Sequence, residues 1–131
     1  MGSRVAGPKS ERLSRENRLR SSSDYTLTKA SGTPFRGRHC LLLALEQPGV
    51  TTRVGFIASK RGVGGAVARN RARRRLREIV RRRWTRIATT GYWLAFVASR
   101  TTPTVPHQEL ASEVERLLQQ AGALASIGVE P

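Results

Sequence analysis

RVGFIASKRGVGGAVARNRARRRLREIVRRR, the stretch from Arg53 to Arg83, decides how this chain is read. Its opening residues belong to a segment, Thr51 to Ser59, that is rich in β-branched and apolar side chains, the composition of a strand. Gly62, Gly64 and Gly65 break that strand. From about Ala66 to Arg86 the period changes. Ala68, Ala72, Leu76, Ile79 and Val80 recur at three- and four-residue steps and fall within about one third of a helical wheel. Asn70, Arg71, Arg73, Arg74, Arg77 and Arg81 lie outside that arc. The pattern predicts a helix on the order of 30 Å long, anchored to a core by one stripe. Nine of the fifteen residues from Arg69 to Arg83 are arginine, and only Glu78 opposes them.

A face so charged calls for a polyanion. The 131-residue chain carries a net charge of +15 with a pI near 11.8, and 21 of its 24 basic residues are arginine. Charge serving solubility alone would be spread out, yet the segment Arg53–Arg86 holds thirteen basic residues and one acid. Arginine's planar fork bonds two phosphate oxygens at once and stacks on bases. Nucleic acid is the matching partner, with binding that weakens steeply as salt rises. Asn70 adds a donor and an acceptor among groups that only donate, suited to a 2′-hydroxyl or base edge; a simple cap or solvent contact is an equal alternative. The glycine-rich lead, Lys60 to Val67, places flexible backbone before a helix N-terminus, where amides and dipole attract phosphate. It lacks the Gly-Lys-Ser/Thr start of a P-loop.

Working outward, residues 1–16 read as a disordered basic arm, 17–122 as one domain and 123–131 as a frayed tail. Ser22 or Ser23 caps a short first helix that Gly32 and Pro34 stop. A strand over roughly 38–46, a turn at Gln47-Pro48-Gly49 and the Thr51–Ser59 strand predict a hairpin. Tyr92 to Ala98 is the clearest buried strand, with Trp93 and Phe96 assigned to the core. A last helix covers about Pro106 to Ala121, its apolar face formed by Leu110, Val114, Leu117 and Leu118, with Gly122 as the stop. This order predicts an α/β two-layer sandwich.

The same residues exclude other chemistries. Cys40 is the single cysteine, so no internal disulfide or cysteine metal cage forms; within its apolar run it reads as a buried thiol. No stretch approaches the roughly 20 apolar residues of a membrane span, and the charged start is not a secretory signal, so cytoplasm follows. A protein-only nuclease needs clustered carboxylates or paired histidines. The nine acids are scattered (Glu46, Glu109, Glu113, Glu115 and Glu130 lie outside the basic segment and its N-terminal approach), and His39 and His107 are far apart. His39 reads as a strand or surface residue, not a base. Tyr25 and Phe35 flank the first helix and are candidates for stacking on unpaired bases, or for the core.

Val54-Gly55-Phe56-Ile57-Ala58-Ser59-Lys60-Arg61, then Gly65-Ala66-Val67, then Arg69-Asn70-Arg71-Ala72-Arg73-Arg74 with Leu76-Arg77-Glu78, closely resembles the signature of the bacterial ribonuclease P protein component. Asn17-Arg18-Leu19 and Ser23-Asp24-Tyr25 are similar to that family's N-terminal entry, and the resemblance spans roughly residues 17–121. It implies a sandwich like the second domain of ribosomal protein S5, a small mixed sheet with three helices and a left-handed β-α-β crossover. It implies that a ribonuclease P RNA performs the hydrolysis with Mg2+, that the protein binds no cofactor and contributes no catalytic residue, and that no obligate protein partner is needed. The protein would hold that RNA and the 5′ leader of precursor tRNA. By the resemblance Arg69, Asn70, Arg71, Arg73, Arg74 and Arg77 meet the catalytic RNA, Lys60 and Arg61 match the basic pair before the helix, and Tyr25 lines the leader cleft. The chain departs from the family in three places. Lys29 stands where a second aromatic is common, favouring phosphate contact over stacking. Leu43 takes a sheet position often aromatic. One extra residue lies between Arg61 and Ala66. The rival reading is a non-catalytic RNA-binding protein of another complex; a DNA-binding helix module lacks its helix-turn-helix pair.

Overall fold

The most apolar segment of the chain becomes one of the two strands with neighbours on both sides. In the computed structural model, which describes residues 13–125, the sheet has the order β1-β2-β4-β3. β2 (Cys40–Thr51) pairs antiparallel with β1 (Thr33–Arg36) and with β4 (Thr90–Ala98). β3 (Arg53–Ile57) pairs with β4 alone, in parallel. Leu94, Ala95 and Phe96 are fully buried, as a central strand requires.

The predicted hairpin between the two early strands is therefore not formed, because β4 lies between them. The Gln47-Pro48-Gly49 signal is absorbed by a register shift between Gln47 and Thr51 inside β2. The chain then crosses the end of β4, where Thr52 N–H donates to Thr89 C=O at 2.9 Å, before β3 begins opposite Trp93. β1 was not predicted either. Pro34 does stop the first helix, but it also sits in an edge strand, where its missing N–H costs no ladder bond.

Side chains alternate across this sheet. Cys40, Leu42, Val54, Leu94 and Phe96 face a core shared with two helices. α2 (Ala66–Arg82) buries Ala72, Leu76, Ile79 and Val80, and α3 (His107–Gln120) buries Leu110, Ala111, Val114, Leu117 and Leu118. Each fully buried Leu or Ile contributes about 1.5–3 kcal/mol, so the arginine helix is held by its apolar stripe. The opposite face carries Leu41, Leu43, Trp93, Ala95, Val97, Gly55 and Ile57. α1 (Ser22–Ser31) lies across part of it. Its cap is Ser21, one residue before the expected pair: the hydroxyl accepts from Asp24 N–H at 3.1 Å. Trp93 is on this second face, partly exposed, whereas Phe96 is core and stacks on Phe56 with ring centroids 6.1 Å apart.

Both domain limits need adjustment. Leu13, expected in the arm, is buried in the core, and Arg15–Asn17 form a single 3-10 turn. Leu19 N–H donates to Val54 C=O at 3.0 Å, covering the free edge of β3. Ala123 and Leu124 are also buried rather than frayed, because Ala88 N–H donates to Ala123 C=O and Ala125 N–H to Arg86 C=O. Residues 1–12 and 126–131, the rest of the expected arm and tail, lie outside the described residues.

Candidate nucleic-acid interface

Because the apolar stripe of α2 faces the sheet, the arginines between its members face outward, but they are not equivalent. Arg75 is consumed by the fold: its guanidinium donates to the carbonyls of Thr102 at 2.8 Å and Val105 at 2.6 Å, clamping the loop before α3. Burial and neighbouring Arg71 lower its pKa from the usual arginine value. Arg81 and Arg82 both pair with Glu78, at 2.6 and 3.2 Å. Arg83 and, in the following 3-10 turn Trp84–Arg86, Arg86 share Glu115 at 2.8 and 3.2 Å.

The earlier turns have no carboxylate partner among the described residues. Arg69 donates to Gly64 C=O at 3.0 Å and Arg73 to Ala58 C=O at 3.3 Å, bonds that fix the guanidinium without cancelling its charge. Arg71 and Arg74 are exposed, with no protein partner among the described residues. They form a helix stripe with Val67 and Asn70 around one open hollow. The Asn70 side-chain carbonyl accepts from Arg73 at 2.6 Å, so its amide NH2 is the end without a protein partner among the described residues. The helix starts at Gly65 with no side-chain cap and no acid in its first turn, which leaves amides to meet an anion.

A second cleft opens beside this helix, lined by Arg18, Leu19, Tyr25, Gly55, Arg73 and Arg77 among others. Gly55 makes it possible: a Cβ there would lie 2.3 Å from the Tyr25 hydroxyl oxygen, so only glycine lets the ring rest on β3. Burial pushes the Tyr25 phenol above its ordinary value, while the Phe56 backbone and the charges of Arg77 and Arg73 pull the other way. Arg77 lies 5.5 Å over the Phe56 ring, a cation–π contact. Leu43 is partly exposed two strands away, in register with Ala95 and Gly55, and Lys29 is exposed on α1. Phe35 packs on the core instead. Lys60 and Arg61 sit exposed on a tight turn closed by Val63 N–H to Ser59 C=O at 2.9 Å. Val63 plugs into the core.

Comparison with protein-family models matches residues 13–122 to the family described as Ribonuclease P. The chain belongs to the ribonuclease P protein family. The ribonuclease P protein component of Symbiobacterium thermophilum is 39% identical over 112 residues, covering 85% of this chain and 96% of that protein. That of Dehalococcoides mccartyi is 37% identical over 113 residues, covering 86% and 91%. The RNase P protein of Staphylococcus aureus shares the fold with a TM-score of 0.72 at 19% identity over 83% of this chain and 98% of that one. The Thermotoga maritima protein gives 0.68 at 22%, over 79% and 96%. The chain is thus the protein subunit of an endoribonuclease that acts in tRNA 5′ processing.

Within this ribonuclease P protein the sequence concealed one buried acid. Glu113 is 6% exposed and accepts from three successive amides, Arg38, His39 and Cys40, at 2.9, 2.8 and 2.8 Å. Its place on the Leu110–Val114–Leu117 face was the available signal, since a carboxylate on a core stripe needs donors. His39 is buried rather than surface, bonding Thr101 at 2.8 Å and Glu109 at 2.9 Å. Cys40 is the expected buried thiol, its pKa pushed up by burial and by Glu113. Among the described residues no group of three or more His, Cys, Asp or Glu could hold a metal ion, and no helix is long and apolar enough to cross a membrane.

Proposed function

We propose that this subunit grips the ribonuclease P RNA with the Asn70–Arg71–Arg74 stripe and holds the single-stranded 5′ leader of precursor tRNA in the Tyr25–Gly55 cleft. The observation that carries this reading is the set of uncompensated cations in the first turns of α2, continuous through Arg73 and Arg77 with that cleft. Phosphate contacts from Arg69, Arg71, Arg73 and Arg74 fix position without reading sequence, and Asn70 donates to a 2′-hydroxyl or base acceptor. In the cleft, Tyr25 offers a single stacking ring, Leu43 an aliphatic floor and Lys29 a phosphate contact. Lys60 and Arg61 extend the basic surface before the helix. The RNA, with its own Mg2+, performs the hydrolysis; the protein works in the cytoplasm and lowers the magnesium needed by neutralising phosphate repulsion.

The test mixes the full chain with a bacterial ribonuclease P RNA and precursor tRNA at low magnesium. Cleavage at the mature 5′ end should be stimulated, and absence of stimulation sinks the proposal. Cutting by the protein alone would overturn the assignment of chemistry to the RNA.

A further inference from the structure

Beyond α1 the sheet face continues to a basic turn that the cleft residues do not include. The register aligns Arg36, Leu41, Val97 and Ile57 in one row across all four strands. This row is one step beyond the row Pro34, Leu43, Ala95 and Gly55, on which Tyr25 rests. Both rows face away from the helical core. Three strand spacings separate β3 from β1, about 14 Å. At the β1 end, Arg36, Gly37, Arg38, Leu41, Val97 and Ser99 border one hollow. Arg36 and Arg38 are exposed, and neither guanidinium has a protein partner among the described residues.

This turn is held by a buried anion of the protein itself. The three amides on Glu113 wrap its carboxylate, and Gly37 is required there because a Cβ would lie 2.2 Å from Oε2. Glu109 is engaged by His39 behind the same turn. Glu113 is held by the backbone and Glu109 by the imidazole, which fixes the turn, and neither carboxylate forms an ion pair with Arg36 or Arg38. Leu41, Val97 and Ile57 offer aliphatic surface and no ring, so contact along this row comes through the backbone of the nucleic acid and tolerates any base.

We infer that Arg36 and Arg38 form a phosphate-binding rim for the part of a single-stranded RNA leader that extends past the Tyr25 cleft, so that leader length is read at the β1–β2 turn. This rests on the subunit reading above. The experiment assembles the wild-type chain and an Arg36→Ala/Arg38→Ala variant with a bacterial ribonuclease P RNA. Affinity is measured over a salt series for precursor tRNA with two leaders, one that ends within the Tyr25 cleft and one long enough to reach the β1–β2 turn about 14 Å farther. The wild type should bind the long leader more tightly. The variant should lose that gain, and its salt slope on the long leader should fall by about 1.4, near 0.7 per cation on a single strand. Unchanged short-leader binding shows that the variant is folded. A variant that keeps the gain, or a wild type that shows none, overturns the proposal. Equal weakening on both leaders would place the two arginines on the RNA subunit or the tRNA body, and also overturns it. Failure of the wild type to stimulate cleavage at all would instead strike the subunit reading.

Discussion

The two ends of the segment made of α2 and the turn after it have similar composition and different partners. From Arg69 to Arg77 six arginines meet backbone carbonyls, an aromatic ring or solvent. From Glu78 onward the arginines meet carboxylates: Arg81 and Arg82 share Glu78, and Arg83 and Arg86 share Glu115. A guanidinium bonded to a carbonyl keeps its whole charge for phosphate, whereas two guanidiniums that share one carboxylate keep a net charge of one between them. Counting arginines therefore overstates the interface. In the proposed reading its active part is the first turns, whereas Glu78 holds Arg81 and Arg82 within the helix and Glu115 of α3 holds Arg83 and Arg86.

The largest effect on this comparison comes from removing what both ends share. Leu76 is fully buried at the middle of the stripe, and Leu76→Ala should cost about 2–5 kcal/mol of stability, read by denaturant unfolding. The folded fraction should keep the RNA salt slope of the wild type, because no cation moves; a changed slope would show that the stripe and the charged face are not separable.

A smaller effect should be confined to the far end. Glu115→Gln removes the partner of Arg83 and Arg86 and should cost about 1 kcal/mol, in the range of partly exposed pairs, with RNA binding no weaker than before. Acid should reproduce this loss in the wild type. Burial pushes Glu115 up, but hydrogen bonds from Arg83 and Arg86 outweigh it and hold its pKa below the ordinary 4.5. Bonds from Arg81, and then Arg82, hold Glu78 below that value too. A depressed folded pKa gives stability that is present above 4.5 and fades as pH falls through the folded values. Unfolding measured over an acid series should show a shallower decline in Glu115→Gln, and an identical decline would remove this pair from the account.

How much of this was legible depended on distance along the chain. The stripe Ala72–Leu76–Ile79–Val80 and the apolar run of β4 are local periodicities, and both were readable. Which strands flank β4 was not, because a turn signal at Gln47-Pro48-Gly49 fits a hairpin as well as the register shift that occurs. The basic face was legible as charge. Its division was not, because Arg69 and Arg73 are tied by Gly64 and Ala58, Arg75 by Thr102 and Val105, and Arg83 by Glu115, partners set by the fold. Leu43 follows from the resemblance alone and Tyr25 from its aromatic ring as well, and Gly55 explains physically why an aromatic is seated there.

The central claim is that charge along α2 and the turn after it serves RNA in the first turns and the fold at the far end. The direct measurement is the salt dependence of binding to ribonuclease P RNA for two double variants, Arg71→Ala/Arg74→Ala and Arg83→Ala/Arg86→Ala, each kept below its unfolding transition. The first should weaken binding and lower the slope by about one per arginine removed, while the second should leave the slope close to that of the wild type. Equal falls in slope for both variants would contradict the division.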